Sequence, residues 1–290
     1  MIHGRIGTVL VLAALTGSAL AAPPVALDVD VRARDLAPGE PARVVVTGPP
    51  SVAALDGTFV GADLSFQRVE GAWVAWAAIP LDHPGGPEAV EVRGTTDGGE
   101  TVVGARAVTI EARAFPEERL SVSSKYVEPP PEVVRRTERE RARMVEVYRL
   151  RSAPVDGGAA FVRPVDGEPT SVFGTRRFFN NEPRSPHPGL DLRAPEGTPV
   201  RSSGPGTVVV ATDLYYSGGT VVVDHGGGLF TLYAHLSSID TVEGAPVAAG
   251  EVVGRSGATG RVTGPHLHWG AKIGDVPFDP RALLDEDLFR

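Results

Sequence analysis

The stretch Gly264-Pro265-His266-Leu267-His268-Trp269-Gly270 carries two imidazoles two residues apart. On a β-strand, side chains alternate between faces, so His266 and His268 project from one face and Leu267 from the other. A second stretch, His187-Pro188-Gly189-Leu190-Asp191-Leu192, repeats the arrangement. Its spacing of four suits one face of a helix, but Pro188 and Gly189 oppose a regular helix. A strand instead puts His187 with Asp191 and turns Leu190 and Leu192 inward. A third run, Leu232-Tyr233-Ala234-His235-Leu236, sets Tyr233 and His235 on one side and three apolar residues on the other. Three strands thus offer polar groups from one face, and the region is expected to be mainly β.

Outward from these runs, further strands are expected at Thr207-Thr212, Thr220-His225, Leu229-Leu236 and His266-Ala271, with Gly226-Gly227-Gly228 as a hairpin turn. The glycines at 250, 254, 257, 260 and 264 precede no G-K-[ST], so they read as turns rather than a phosphate loop. Upstream, 129–149 opens with prolines and becomes a dense mixture of Glu and Arg. It predicts an exposed helix with pairs such as Glu132/Arg136, Glu138/Arg141 and Glu140/Arg143, and a narrow apolar stripe of Val134, Met144, Val145 and Tyr148. The interleaved glutamates argue against a nucleic-acid-binding helix.

Further upstream, Val25, Leu27, Val29 and Val31 alternate with Asp28, Asp30 and Arg32, and similar runs lie at Ala42-Thr47, Trp73-Ile79, Val90-Arg93 and Val102-Ala112. Short alternating runs broken by Gly, Pro and Asp predict a small β-sandwich. The expected division is a signal peptide over 1–21, a β-rich accessory domain over 22–115, a connector with a helix over 116–152 and a C-terminal domain over 153–290. The connector carries no motif residue, so the C-terminal domain is expected to be separable.

The first residues support the export reading: Arg5, an apolar run from Ile6 to Leu15, and small residues ending in Ala19-Leu20-Ala21, with cleavage expected after Ala21. No later apolar stretch approaches the roughly 20 residues of a membrane-spanning helix, so no transmembrane anchor is expected once the signal is removed. A formal charge of -8 gives no electrostatic reason to expect nucleic-acid binding.

The chain has no cysteine, which excludes disulfides, cysteine nucleophiles and thiolate metal sites. A transition metal must therefore be held by histidine and carboxylate. Of seven histidines, His83 lies in a turn-like Leu-Asp-His-Pro-Gly-Gly-Pro run and His225 ends a strand, and both read as structural. His3 lies in the N-terminal stretch, and the remaining four, His187, His235, His266 and His268, fall in the three runs above. Two histidines and a carboxylate form a common hydrolytic zinc set with a fourth position for water, and two further histidines suit proton transfer and oxyanion stabilisation.

From about Phe161 to Leu284 the chain resembles the lysostaphin-type peptidoglycan metalloendopeptidases. The resemblance rests on F-G-T-R-R at 173–177, P-H-P-G-L-D-L at 186–192, G-L-F-T-L-Y-A-H-L at 228–236 and T-G-R-V-T-G-P-H-L-H-W-G at 259–270. It implies one zinc ion per chain held by His187, Asp191 and His268, with His235 and His266 as unliganded histidines that assist catalysis. It also implies an antiparallel β-sheet whose open groove admits the peptide crosslinks of peptidoglycan, and an exported protein of the periplasm or cell envelope. Arg176, Arg177, Asn180 and Asn181 either line that groove or stabilise its loop, and Tyr233 either faces the site or packs. The N-terminal β region and the charged helix more loosely resemble the accessory region of some exported members. Two rival readings are a degenerate relative that activates a cell-wall amidase and a pure peptidoglycan-binding module. The first would lack zinc ligands, and the second would leave the filled histidine set without a purpose.

Overall fold

The computed structural model describes residues 25–120, 130–153, 160–285 and 288. The export signal expected over 1–21 lies outside the described residues. Among those described, no helix is long and apolar enough to cross a membrane.

The N-terminal half contains two sheets. One has five strands, in the order Val25–Ala26, Thr101–Ile110, Gly86–Thr96, Val52–Phe59, Ala62–Leu64. The other has four, Asp28–Arg32, Pro41–Thr47, Ala72–Ala78 and Gln67–Val69. Leu27, Val29, Val44, Val46, Phe59, Ile79, Val90, Val92 and Ile110 fill one shared core. The alternating run from Val25 to Arg32 serves both sheets: its first two residues run parallel to Thr101–Ile110, and after Leu27 it pairs with Pro41–Thr47. The strands Val52–Phe59, Ala62–Leu64 and Gln67–Val69 were not among those expected. The first has an irregular burial rhythm and a register shift between Val52 and Ala54, so its apolar residues do not alternate cleanly.

The C-terminal half is built on a ten-stranded sheet. Its central strands lie in the order Gly189–Leu192, Leu267–Ile273, Leu229–Ile239, Gly218–Asp224, Gly206–Leu214, every neighbouring pair antiparallel. Gly226, Gly227 and Gly228 all have positive φ (84°, 62° and 80°), the left-handed backbone a turn here requires. Register decides what each face carries. Leu190 and Tyr233 both lie opposite Trp269, and Leu192 lies opposite Leu267; these face a core completed by Val221, Val223, Ala271 and Phe278. Asp191 and Ala234 both lie opposite His268 and so point to the other face.

That second face is shared. The helix Pro131–Tyr148 covers one end of it, setting Tyr148 edge-on against Phe230 with ring centroids 5.4 Å apart, beside Val210 and Val222. The apolar stripe expected on this helix is shifted: Met144, Val147 and Tyr148 pack, while Val134 and Val145 are exposed. Its ion pairs differ as well. Arg136 bonds Glu140 at 2.6 Å and Asp213 at 3.0 Å, and Arg143 pairs with Glu243, so the helix arginines tie it to the sheet domain. The far end of the face carries the histidines.

The two halves meet in a closely packed joint. Ala78 belongs to the C-terminal core. Buried Glu40 accepts from Arg34 at 2.8 Å and from Arg113 at 2.6 Å, and Arg34 also lies 3.6 Å from Asp279. A Cβ on Gly39 would sit 2.6 Å from the Phe173 ring, and one on Gly174 would sit 2.2 Å from Phe115, so both close approaches need glycine.

Candidate metal centre

His187 lies just before Gly189–Leu192 rather than on it, and is completely buried. The segment 172–175 grips it: Gly174 N–H donates to the His187 carbonyl and His187 N–H to the Thr175 carbonyl, both at 2.9 Å. On the ring, Nδ1 donates to the Val172 carbonyl at 3.1 Å. This fixes the tautomer and leaves Nε2 as a bare acceptor.

Three acceptor atoms then converge. Nε2 of His187 lies 3.0 Å from Oδ1 of Asp191 and 3.0 Å from Nδ1 of His268, and that Nδ1 lies 2.8 Å from the same oxygen. Ligand atoms about 2.0–2.1 Å from a tetrahedral zinc stand roughly 3.3 Å apart, so the triangle is close to the size zinc needs. At most one proton fits inside it, on His268 Nδ1, whereas a divalent cation satisfies all three atoms. The donor set of two imidazoles and one carboxylate oxygen, with no thiolate, also fits zinc.

Burial alone would raise the Asp191 pKa, but the interactions with the His187 and His268 imidazoles outweigh it and hold the carboxyl far below its ordinary range. Burial lowers the His187 pKa, more than the neighbouring Asp191 carboxylate raises it. Gly189 makes room for the arrangement: a Cβ there would sit 2.7 Å from Cε1 of His268 and 2.5 Å from the Trp269 carbonyl oxygen.

His266 and His235 stand beside the triangle. His266 is just outside the strand Leu267–Ile273, bridged to Gly257, and its Nε2 lies 3.8 Å from Asp191 Oδ1, on the same side as His268 as its spacing predicts. Its Nδ1 donates to the Gly264 carbonyl at 2.9 Å. The His235 ring centroid is 4.8 Å from that of His266 and 6.0 Å from that of His268. Nδ1 of His235 donates to the Thr259 carbonyl at 2.9 Å, which frees Nε2 as an acceptor. Burial, followed by the charges of His268 and His266, pushes His235 down to about 3, so this ring is neutral at neutral pH. The structure therefore gathers all five residues singled out in the sequence.

Regular alternation would have sent His235 to the core face with Tyr233. It does not, because His235 has φ 65°, a left-handed conformation rare outside glycine, which turns its side chain to the face carrying the other histidines. Tyr233 is accordingly no part of the site. It is fully buried in the core, accepting from Ser203 N–H at 2.5 Å and bonding Thr231 Oγ1 at 2.9 Å. His225 is structural, with Nδ1 donating to the Pro205 carbonyl at 2.6 Å and Nε2 bonded to Thr231 Oγ1 at 2.8 Å. His83 bonds Glu88 at 3.1 Å in the N-terminal half.

Among the residues that the sequence left undecided, Arg177 touches the triangle, its Nη2 donating to Oδ2 of Asp191 at 3.1 Å. Arg176 faces Glu117 at 3.7 Å on the surface. Asn180 and Asn181, with φ of 51° and 70°, form the turn between Arg176–Phe179 and Glu182–Pro183, a two-residue hairpin that favours Asn.

Residues 185–280 match the model of peptidase family M23, a span that includes all five site residues. A solved structure assigned to peptidase M23 from Pseudomonas aeruginosa superposes with a TM-score of 0.66 at 31% identity, over 87% of this chain and 96% of that one. The peptidoglycan DD-endopeptidase ShyA of Vibrio cholerae is 46% identical over 114 residues, 38% of this chain and 26% of its own length. The DD-carboxypeptidase/endopeptidase Mpg of Neisseria meningitidis is 47% identical over 94 residues, 32% of this chain and 22% of its own. The matches to these curated relatives thus span about a quarter of their length or less. Taken with a histidine and carboxylate site lying wholly inside the matched segment, these likenesses establish that the chain belongs to peptidase family M23.

Proposed function

We propose that this protein is a zinc-dependent endopeptidase that hydrolyses peptide crosslinks of bacterial peptidoglycan, exported to the periplasm or cell envelope. The observation that carries the reading is the triangle of His187 Nε2, Asp191 Oδ1 and His268 Nδ1, with edges of 2.8–3.0 Å and two more histidines beside it. One zinc ion per chain would be held by these three atoms. When bound, zinc supplies Lewis acidity, polarising the scissile carbonyl and making water nucleophilic near neutral pH.

The remaining work falls to the chain's own groups. His235, neutral and with Nδ1 occupied by Thr259, presents Nε2 as the proton acceptor for an attacking water. His266, with Nδ1 likewise anchored, presents Nε2 on the side of Asp191, where the ring, when it carries a second proton on Nε2, donates to the developing oxyanion or to the leaving amine. The side chains of Asp191, His266 and His268 retain 12–19% exposure while His187 has none, so the centre is reached from the His266 side. On this reading, residues 22–115 form an accessory domain, 116–152 a connector and 153–290 the peptidase domain.

The test is to incubate the purified protein, with and without a chelator, with several purified peptidoglycans and to identify the fragments by mass spectrometry. Release of uncrosslinked peptides that stops on chelation and resumes with zinc is the expected result. A protein that takes up no zinc and releases no fragment from any of them would overturn the proposal.

A further inference from the structure

The two oxygens of Asp191 face different partners. Oδ1 is the one the imidazoles share; Oδ2 accepts from Nη2 of Arg177 at 3.1 Å. The same Nη2 lies 3.2 Å from Oγ of Ser171, whose residue is in register with Asp191. Behind Arg177 stands a second carboxylate: Nε lies 3.5 Å from Oε2 of Glu118, in an ion pair longer than a hydrogen bond. Glu118 comes from Glu117–Leu120, the segment that leaves the accessory domain. That segment runs parallel to Arg176–Phe179, with Glu118 in register with Arg177. A continuous row, Glu118 to Arg177 to Asp191, therefore joins the interdomain connector to the triangle.

A guanidinium this close to a cation site needs a reason, because its charge opposes that of the cation. The geometry supplies one. A carboxylate free at both oxygens can rotate, or chelate a metal through both and fill a coordination position that water needs. With Oδ2 engaged, Asp191 presents a single oxygen. Glu118 offsets the arginine's charge and, from the strand pairing, limits where its side chain can go. Resting on the metalloenzyme reading above, we propose that Arg177 is a positioning residue that makes Asp191 a one-oxygen ligand, and that Glu118, delivered by the connector strand, holds Arg177 in place.

The test uses the full chain with Co2+ in place of zinc, because cobalt's visible absorption weakens as coordination number rises above four. Arg177→Ala is expected to shift the spectrum toward the weaker bands of higher coordination. It should also lower kcat by about 10–100-fold, the range typical of a lost partner to a metal ligand, with KM within about twofold. Arg177→Lys, which keeps the charge but loses the planar fork, should recover part of kcat. Glu118→Gln should give the same spectral change in smaller measure, and it carries the test should Arg177→Ala not fold. A wild-type spectrum and wild-type kcat in Arg177→Ala, or in Glu118→Gln where only that variant folds, overturn the proposal while leaving the metalloenzyme reading intact. A wild-type protein that binds neither cobalt nor zinc overturns both.

Discussion

The two faces of one set of strands each bury histidine, and they do so to opposite ends. On the core face, the bonds run in one direction: Ser203 N–H to the Tyr233 hydroxyl, that hydroxyl to Thr231, Thr231 to Nε2 of His225, and Nδ1 of His225 to the Pro205 carbonyl. Each donor in this run of bonds has an acceptor. On the other face, His187, Asp191 and His268 bring three acceptor atoms within 3.0 Å of each other with room for a single proton. Histidine content and burial do not separate the two clusters; unmet acceptor capacity does. The first cluster is satisfied within the fold, and the second has the surplus of acceptors that a cation would satisfy.

The largest effect expected from this contrast follows removal of a triangle member. His268→Ala should reduce zinc from about one per chain to near zero and activity by on the order of a thousandfold or more, read by metal analysis beside turnover. His266→Ala and His235→Ala should instead keep wild-type zinc and slow turnover by about a hundredfold, since each removes one contribution rather than the Lewis acid itself. If His266→Ala sheds zinc as readily as His268→Ala, the division between holding and assisting residues collapses.

The core-face cluster should answer to pH and denaturant, not to zinc. Burial pushes His225 down to about 4, against an ordinary value of 6.5. Between those values the unfolded chain binds a proton that the folded chain refuses. Stability contributed by neutral His225 is therefore full above about pH 6.5 and declines as pH falls toward 4, by about 3 kcal/mol. Urea titrations across that window should show His225→Gln losing less stability on acidification than the wild type; equal slopes would refute this. Smaller again, Tyr233→Phe leaves Ser203 N–H and Thr231 short of a partner and should cost about 1–3 kcal/mol, with zinc content and kcat within twofold of wild type. A loss of zinc in that variant would mean the two faces are not independent.

Much of this contrast is legible in the sequence. Leu-Asp-Leu at 190–192 and Leu267-His268 announce their faces by alternation alone, and the register bears that out, while His266 stands just outside the strand and on the same side. The run at 232–236 misleads, because alternation assumes extended backbone at every residue, and nothing in the letters of Tyr233-Ala234-His235 signals a φ of 65° at the last. Arg177 is hidden for a different reason. Its partners Glu118 and Asp191 lie 59 and 14 positions away, and a long flexible side chain has no pattern that says which carboxylate it will reach. The helix ion pairs fail the same way: helical neighbours predict Glu140 with Arg143, while the folded chain pairs Arg143 with Glu243. Local periodicity finds faces, and only tertiary packing assigns long charged side chains.

The joint at Phe173 and Gly174 bears on cooperativity. The segment wedged against Gly39 and Phe115 is the one whose carbonyls at Val172 and Thr175 hold His187 by ring and backbone. A chain begun near Ala153 would expose the apolar ring of Phe173 to water and slacken the loop that orients a candidate ligand, although every motif residue would still be present. Unfolding of the full chain should accordingly appear in calorimetry as one transition instead of two, the N-terminal and C-terminal halves melting together.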